Sequence, residues 1–102
     1  MVDVGPVLQK GEAGQAVITA IRKLNPQVRV LDRGSYWRVM VQERCVVTRT
    51  AIAAALGKPF VLPGDLETCM PSFSGRFSVT SESASWEGAA SKAVEDRKGE
   101  AR

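Results

Sequence analysis

The sequence predicts an α+β domain: a mainly antiparallel sheet with two main helices packed on one face, plus a short third helical turn. Three observations carry that prediction. Residues 11–24 repeat apolar side chains at helical spacing. Residues 28–47 alternate apolar and polar side chains at the period of a strand. Residues 48–57 form a second, shorter helical pattern with a hydroxyl residue at its start and a glycine at its end.

Residues 2–9, "VDVGPVLQ", read as a short extended segment, and Pro6, which has no N–H to donate, assigns it to a sheet edge. From Gly11 to Leu24, Val17, Ile18, Ile21 and Leu24 fall on one face of a helix. Glu12 suits its positive end and Arg22-Lys23 its negative end, and Asn25-Pro26 stops it. "VRVLDRGSYWRVMVQERCVV" reads as three strands joined by tight turns, the first turn being Asp32-Arg33-Gly34-Ser35. In the middle strand Trp37, Val39 and Val41 share a core face, while Tyr36, Arg38 and Met40 make a mixed one. Thr48 or Thr50 caps "TRTAIAAALG", which Gly57 closes, with Ile52, Ala55 and Leu56 as its apolar stripe. One helical turn is expected near Gly64–Glu67, and Phe77 and Val79 mark one face of a last strand.

These elements place a single α+β domain in residues 1–80. Residues 81–102 are Ser-, Ala-, Glu- and Lys-rich with almost no large apolar side chains, so a mobile C-terminal tail is expected, with transient helix over Ala89–Arg97. Trp86 is its one sticky residue, either a docked anchor or an incidental exposed aromatic.

Composition narrows the chemistry. Histidine, the usual general base and commonest metal ligand, is absent, which rules out a Ser-His-Asp triad and lowers the case for any enzyme. Cys45 and Cys69 form no CxxC pair and read as small buried apolar residues of a reducing compartment, not as a disulfide framework or zinc site. No apolar stretch approaches a membrane span and the N-terminus lacks a signal-peptide pattern, so a cytoplasmic protein without membrane contact is expected. The net charge of +3 is scattered, with no basic run longer than Arg22-Lys23 or Arg97-Lys98, so the basic residues read as solvated faces.

"MPSFSGRFSV", residues 70–79, is the segment whose chemistry needs explaining. Ser74 fails the nucleophile-elbow pattern, because Ser72 and Arg76 stand where it requires glycines. "SGRFSV" matches only fragments of an RNA-binding signature, although Phe73 and Phe77 are of a type that stacks bases. A surface read by another protein fits proline, hydroxyls, glycine and an aromatic anchor; a plain turn with Phe73 in the core fits the same letters.

"NPQVRVLDRGSYWRVMV", "LGKPFVLPGDLE" and "SFSGRFSVTSE" together resemble the effector proteins of soluble di-iron monooxygenases, also called coupling or regulatory proteins, and "VGPVLQKGE" is most similar to their toluene and alkene branch. The resemblance spans roughly residues 4 to 83. It implies an α+β protein with no catalytic residue, cofactor or metal of its own, monomeric when free, that binds a di-iron hydroxylase and modulates oxygen activation, substrate access and coupling. It also implies that Ser72, Phe73, Ser74, Gly75 and Arg76 form the contact. Methane-oxidising relatives carry small hydroxyl residues where this chain has Pro71 and Phe73, and a longer N-terminal extension. The alternative kept beside this reading is a small single-stranded nucleic-acid-binding domain.

Overall fold

The computed structural model of the chain describes residues 2–88. Its elements follow in the order β1 (Asp3–Gln9), α1 (Glu12–Leu24), β2 (Arg29–Asp32), β3 (Tyr36–Gln42), β4 (Arg44–Thr48), α2 (Arg49–Leu56), α3 (Gly64–Cys69), β5 (Ser72–Ser74), β6 (Arg76–Val79) and β7 (Ser83–Glu87). The α+β class and the antiparallel pairing are as the sequence predicts. The strands divide, however, between two sheets, one of four strands in the order β2-β3-β1-β5 and one of three in the order β4-β7-β6.

The residues between β3 and β4 do not close a hairpin. Glu43 takes φ 69, a left-handed conformation, and sends the chain out of the first sheet into the second. Nor is β1 an edge strand. It lies between β3 and β5, and Pro6 fits there because the β1–β3 ladder skips Gly5 and Pro6, so that no pairing with β3 is asked of the proline.

Three alanines favour α1, its β-branched residues and Gly14 do not, and burial of its apolar face sustains it, with Val17, Ile18 and Ile21 forming the predicted stripe. Leu24 instead remains exposed at the C-terminal end. Asn25, the one buried polar or charged residue among the described residues, ties this end of α1 to the second sheet. Its Nδ2 donates to the Ile21 and Val46 carbonyls, both at 2.8 Å, and its Oδ1 accepts from the Val46 N–H at 3.1 Å. Thr48 caps α2, its Oγ1 accepting from the Ala51 N–H at 3.1 Å, and Gly57 closes it at φ 81. Of the predicted α2 stripe, Ile52 is buried, Leu56 half-buried and Ala55 exposed. No helix among the described residues is long and apolar enough to cross a membrane.

The largest correction concerns the expected tail. Residues 83–87 are the central strand of the second sheet, with Ala84 and Trp86 turned inward and Ser83, Ser85 and Glu87 half-buried. Trp86 is 0% exposed and lies in register between Cys45 of β4 and Phe77 of β6. The domain therefore runs at least to Gly88, and of its two readings Trp86 takes that of an anchor. Serine and alanine disguise the strand, since only one inward position carries a large side chain; the period of two is nonetheless present. The expected helix over 89–97 lies outside the described residues.

Trp86→Ala removes the largest fully buried side chain and is expected to cost about 3–5 kcal/mol in denaturant unfolding. Trp86→Phe keeps a ring and removes an indole N–H that has no hydrogen-bond partner among the described residues, and is expected to cost about 1–2 kcal/mol.

Candidate functional site

The 70–76 segment is held at the junction of the two sheets. Met70, buried at the end of α3, delivers the chain to Pro71 and then to β5, which pairs with β1 as Val7↔Ser72, Pro6↔Phe73 and Gly5↔Ser74. Gly75 then turns the chain into β6 of the other sheet. It does so at φ +101, where a Cβ would lie 2.7 Å from Val4 Cγ1 and 3.0 Å from the Glu87 carbonyl oxygen. Only glycine meets both demands, positive φ and contact with two neighbouring strands.

Alternation along β5 sends its side chains two ways. Ser72 and Ser74 point with Val7 to the outer face of the first sheet, where they line an open depression of about 500 Å³ with Tyr36, Arg38 and Pro71. Phe73 points the opposite way and remains 43% exposed. Its ring lies 5.2 Å from that of Phe77, which lies 5.3 Å from that of Trp86. Three tilted rings thus descend from the surface to the core, at spacings typical of favourable aromatic pairs. Arg76 is half-buried at the start of β6, in register with Glu87. The five predicted residues therefore lie together, but they serve two faces instead of one.

This geometry suits an aromatic anchor better than a nucleic-acid platform. Base stacking requires exposed ring faces in series, whereas Phe77 is half-buried and Trp86 wholly buried. Tyr36, Arg38, Val7 and Pro71 were not singled out as site residues. The signal for two of them was the mixed face of β3, read correctly as a face without being joined to 70–76, because pairing of β1 with β5 is not visible in local sequence.

Among the described residues, no three His, Cys, Asp or Glu side chains come together as metal ligands would. Cys45 is fully buried, and desolvation pushes its thiol up to about 12; burial, together with nearby Asp65, also raises that of Cys69. At the far end of the first sheet, the Lys10 ammonium at 2.6 Å and the Gly34 N–H hold the Asp32 carboxyl below its ordinary range, fixing the β2–β3 turn.

Residues 2–87 match the model of the MmoB/DmpM family. The chain belongs to that family. It is 41% identical over 85 residues to an alkene monooxygenase effector subunit from Xanthobacter autotrophicus, an alignment covering 81% of this chain and 83% of that one. Its fold is similar to a chain in a solved complex of phenol hydroxylase with its regulatory protein, at TM-score 0.75 and 16% identity, over 85% of this chain and 98% of that one. It is also similar to the soluble methane monooxygenase regulatory protein B, at TM-score 0.67 and 26% identity, over 97% of this chain and 72% of that one. The MmoB/DmpM family match ends at residue 87, in agreement with the inclusion of β7 in the folded domain.

Gly75→Ala is expected to cost about 2–4 kcal/mol in urea unfolding, because the new Cβ meets Val4 at a backbone angle that alanine resists. At pH 8 the thiols of Cys45 and Cys69 in the folded protein are expected to resist a disulfide reagent that titrates both in urea. Reaction at the unfolded rate would show that the core opens readily.

Proposed function

We propose that this chain is a non-catalytic effector of a soluble multicomponent monooxygenase: it binds the di-iron hydroxylase and modulates oxygen activation, substrate access and coupling. The observation that carries the proposal is the likeness to the alkene monooxygenase effector subunit across most of both chains. The candidate site adds physical support. It presents an exposed aromatic and small hydroxyls on a rigid corner, in a chain without histidine. In this reading the iron chemistry and its ligands belong to the partner, and this chain requires no cofactor.

The mechanism that fits is selection between hydroxylase conformations. A bound effector shifts its partner's equilibrium only by the difference between its affinities for the two states. A preformed surface is suited to that task, because little binding energy goes into ordering it and most is available to discriminate. Phe73 supplies the anchor, seated on Phe77, while Ser72 and Ser74 supply short hydrogen-bonding groups on the neighbouring face. Gly75 holds the corner, and Arg76 stands beside it at the start of β6.

The test is steady-state oxidation by the purified hydroxylase and its reductase, titrated with this chain while substrate and oxygen consumption are followed together. The wild-type chain is expected to raise the substrate oxidised per oxygen consumed, with saturation. Phe73→Ala is expected to raise the half-saturating concentration by roughly tenfold, about 1.4 kcal/mol, with thermal unfolding nearly unchanged. Equal coupling with and without the wild-type chain would overturn the proposal.

A further inference from the structure

Strand register assembles a continuous row of side chains on the outer face of the first sheet. Leu31 faces Arg38, Arg38 faces Val7, and Val7 faces Ser72, so the row crosses all four strands from edge to edge. Arg38 stands at its middle, exposed, without an ion-pair partner among the described residues. Arg29, on the same strand face as Leu31, is held by Asp3 at 2.6 Å. Both direct neighbours of Arg38 are apolar: Leu31 is 41% exposed and Val7 half-buried. Tyr36, two residues away on the same strand face, joins Arg38, Val7, Ser72 and Ser74 around the open depression.

An arginine without an ion pair, with a tyrosine beside it and apolar groups on both flanks, has the composition of an interface centre. The row is continuous with the proposed docking segment through Ser72, and the chain's excess of positive charge, +3, complements an acidic partner. Resting on the effector reading above, we propose that this row is a second docking surface for the hydroxylase and that Arg38 receives a carboxylate from it. Leu31 and Val7 close over the pair and exclude water. That enclosure separates such a pair from an ordinary surface ion pair, which salt screens and which contributes little.

The experiment measures the dissociation constant of the hydroxylase from the source of this chain at low and moderate salt, for wild type, Arg38→Ala, Arg38→Glu, Leu31→Ser and, as a control in the last turn of α1, Arg22→Glu. Arg38→Glu is expected to weaken binding by at least about tenfold, and Arg38→Ala and Leu31→Ser by about three- to tenfold. Arg22→Glu is expected to stay within about twofold, and the Arg38 variants are expected to lose part of the wild-type salt dependence. All positions changed are exposed, and circular dichroism with thermal unfolding checks that each variant is folded. Wild-type binding with Arg38→Glu equal to wild type overturns the second surface and leaves the effector reading standing. Absence of wild-type binding overturns the effector reading and the second surface with it. Sedimentation of the chain alone adds one further outcome: self-association abolished by Arg38→Glu, with hydroxylase affinity unmoved, makes the row a self-interface and overturns the proposal.

Discussion

Glu43, Gly75 and Gly88 meet at one corner, and the two sheets are joined there. The Gly88 N–H donates to the Glu43 carbonyl at 2.8 Å, and the Glu43 N–H donates to the Val2 carbonyl at 2.9 Å. Gly75 presses against Val4 and the Glu87 carbonyl from the other side, and a Cβ on Gly88 would lie 2.5 Å from Val2 Cγ2. The first strand and the last therefore close on each other at the two points where the chain passes between sheets. Backbone packed this closely leaves no room for side chains, and two of the three corner residues are glycine for that reason.

The corner decides what kind of site the domain has. A loop of serine, phenylalanine and glycine would ordinarily be mobile, and ordering it on contact would consume binding energy. Here the segment enters from buried Met70, pairs with β1 and leaves through Gly75 into a strand that pairs with β7. Phe73 is exposed and yet seated on Phe77, which is seated on Trp86, the largest fully buried side chain. The exposed ring is thus held in place by rings that continue into the core. Strand alternation meanwhile divides the serines from the phenylalanine, so one short strand serves both the outer sheet face and the corner.

Much of this was legible in the sequence where the signal was local. The spacing of Val17, Ile18 and Ile21, the Thr48 cap and the Gly57 stop specify α1 and α2 because helices are built from contacts three and four residues apart. The two faces of β3 were legible for the same reason. The division into two sheets was not, since nothing local distinguishes a Glu43 that closes a hairpin from one that leaves the sheet. Pro6 misled because the rule that confines proline to edges presumes an unbroken ladder, and this ladder is interrupted beside it. β7 was missed because composition outweighed alternation in a five-residue strand whose only large apolar residue is Trp86. For the candidate site, Ser72 to Arg76 were expected from the family resemblance and lie together in the fold, whereas Arg38 and Tyr36 become neighbours of Ser72 only through long-range pairing across β1.

The charges of the domain fit a protein made to bind selectively and release. Lys10–Asp32, Arg29–Asp3, Arg44–Glu87 and Arg49–Glu82 join residues far apart in sequence, with separations of 22, 26, 43 and 33 positions. Each has at least one partner well exposed, so their contribution to stability is small, and their effect is to hold strands and turns in register and to neutralise charge locally. A surface that neutralises several of its charges in this way exerts only a modest attraction on acidic neighbours in general. In the proposed reading, recognition falls to an exposed aromatic at the corner and an arginine among apolar neighbours, both of which bind well only where shape and charge fit together. An effector that must engage one protein among many is better served by that economy than by a uniformly basic face.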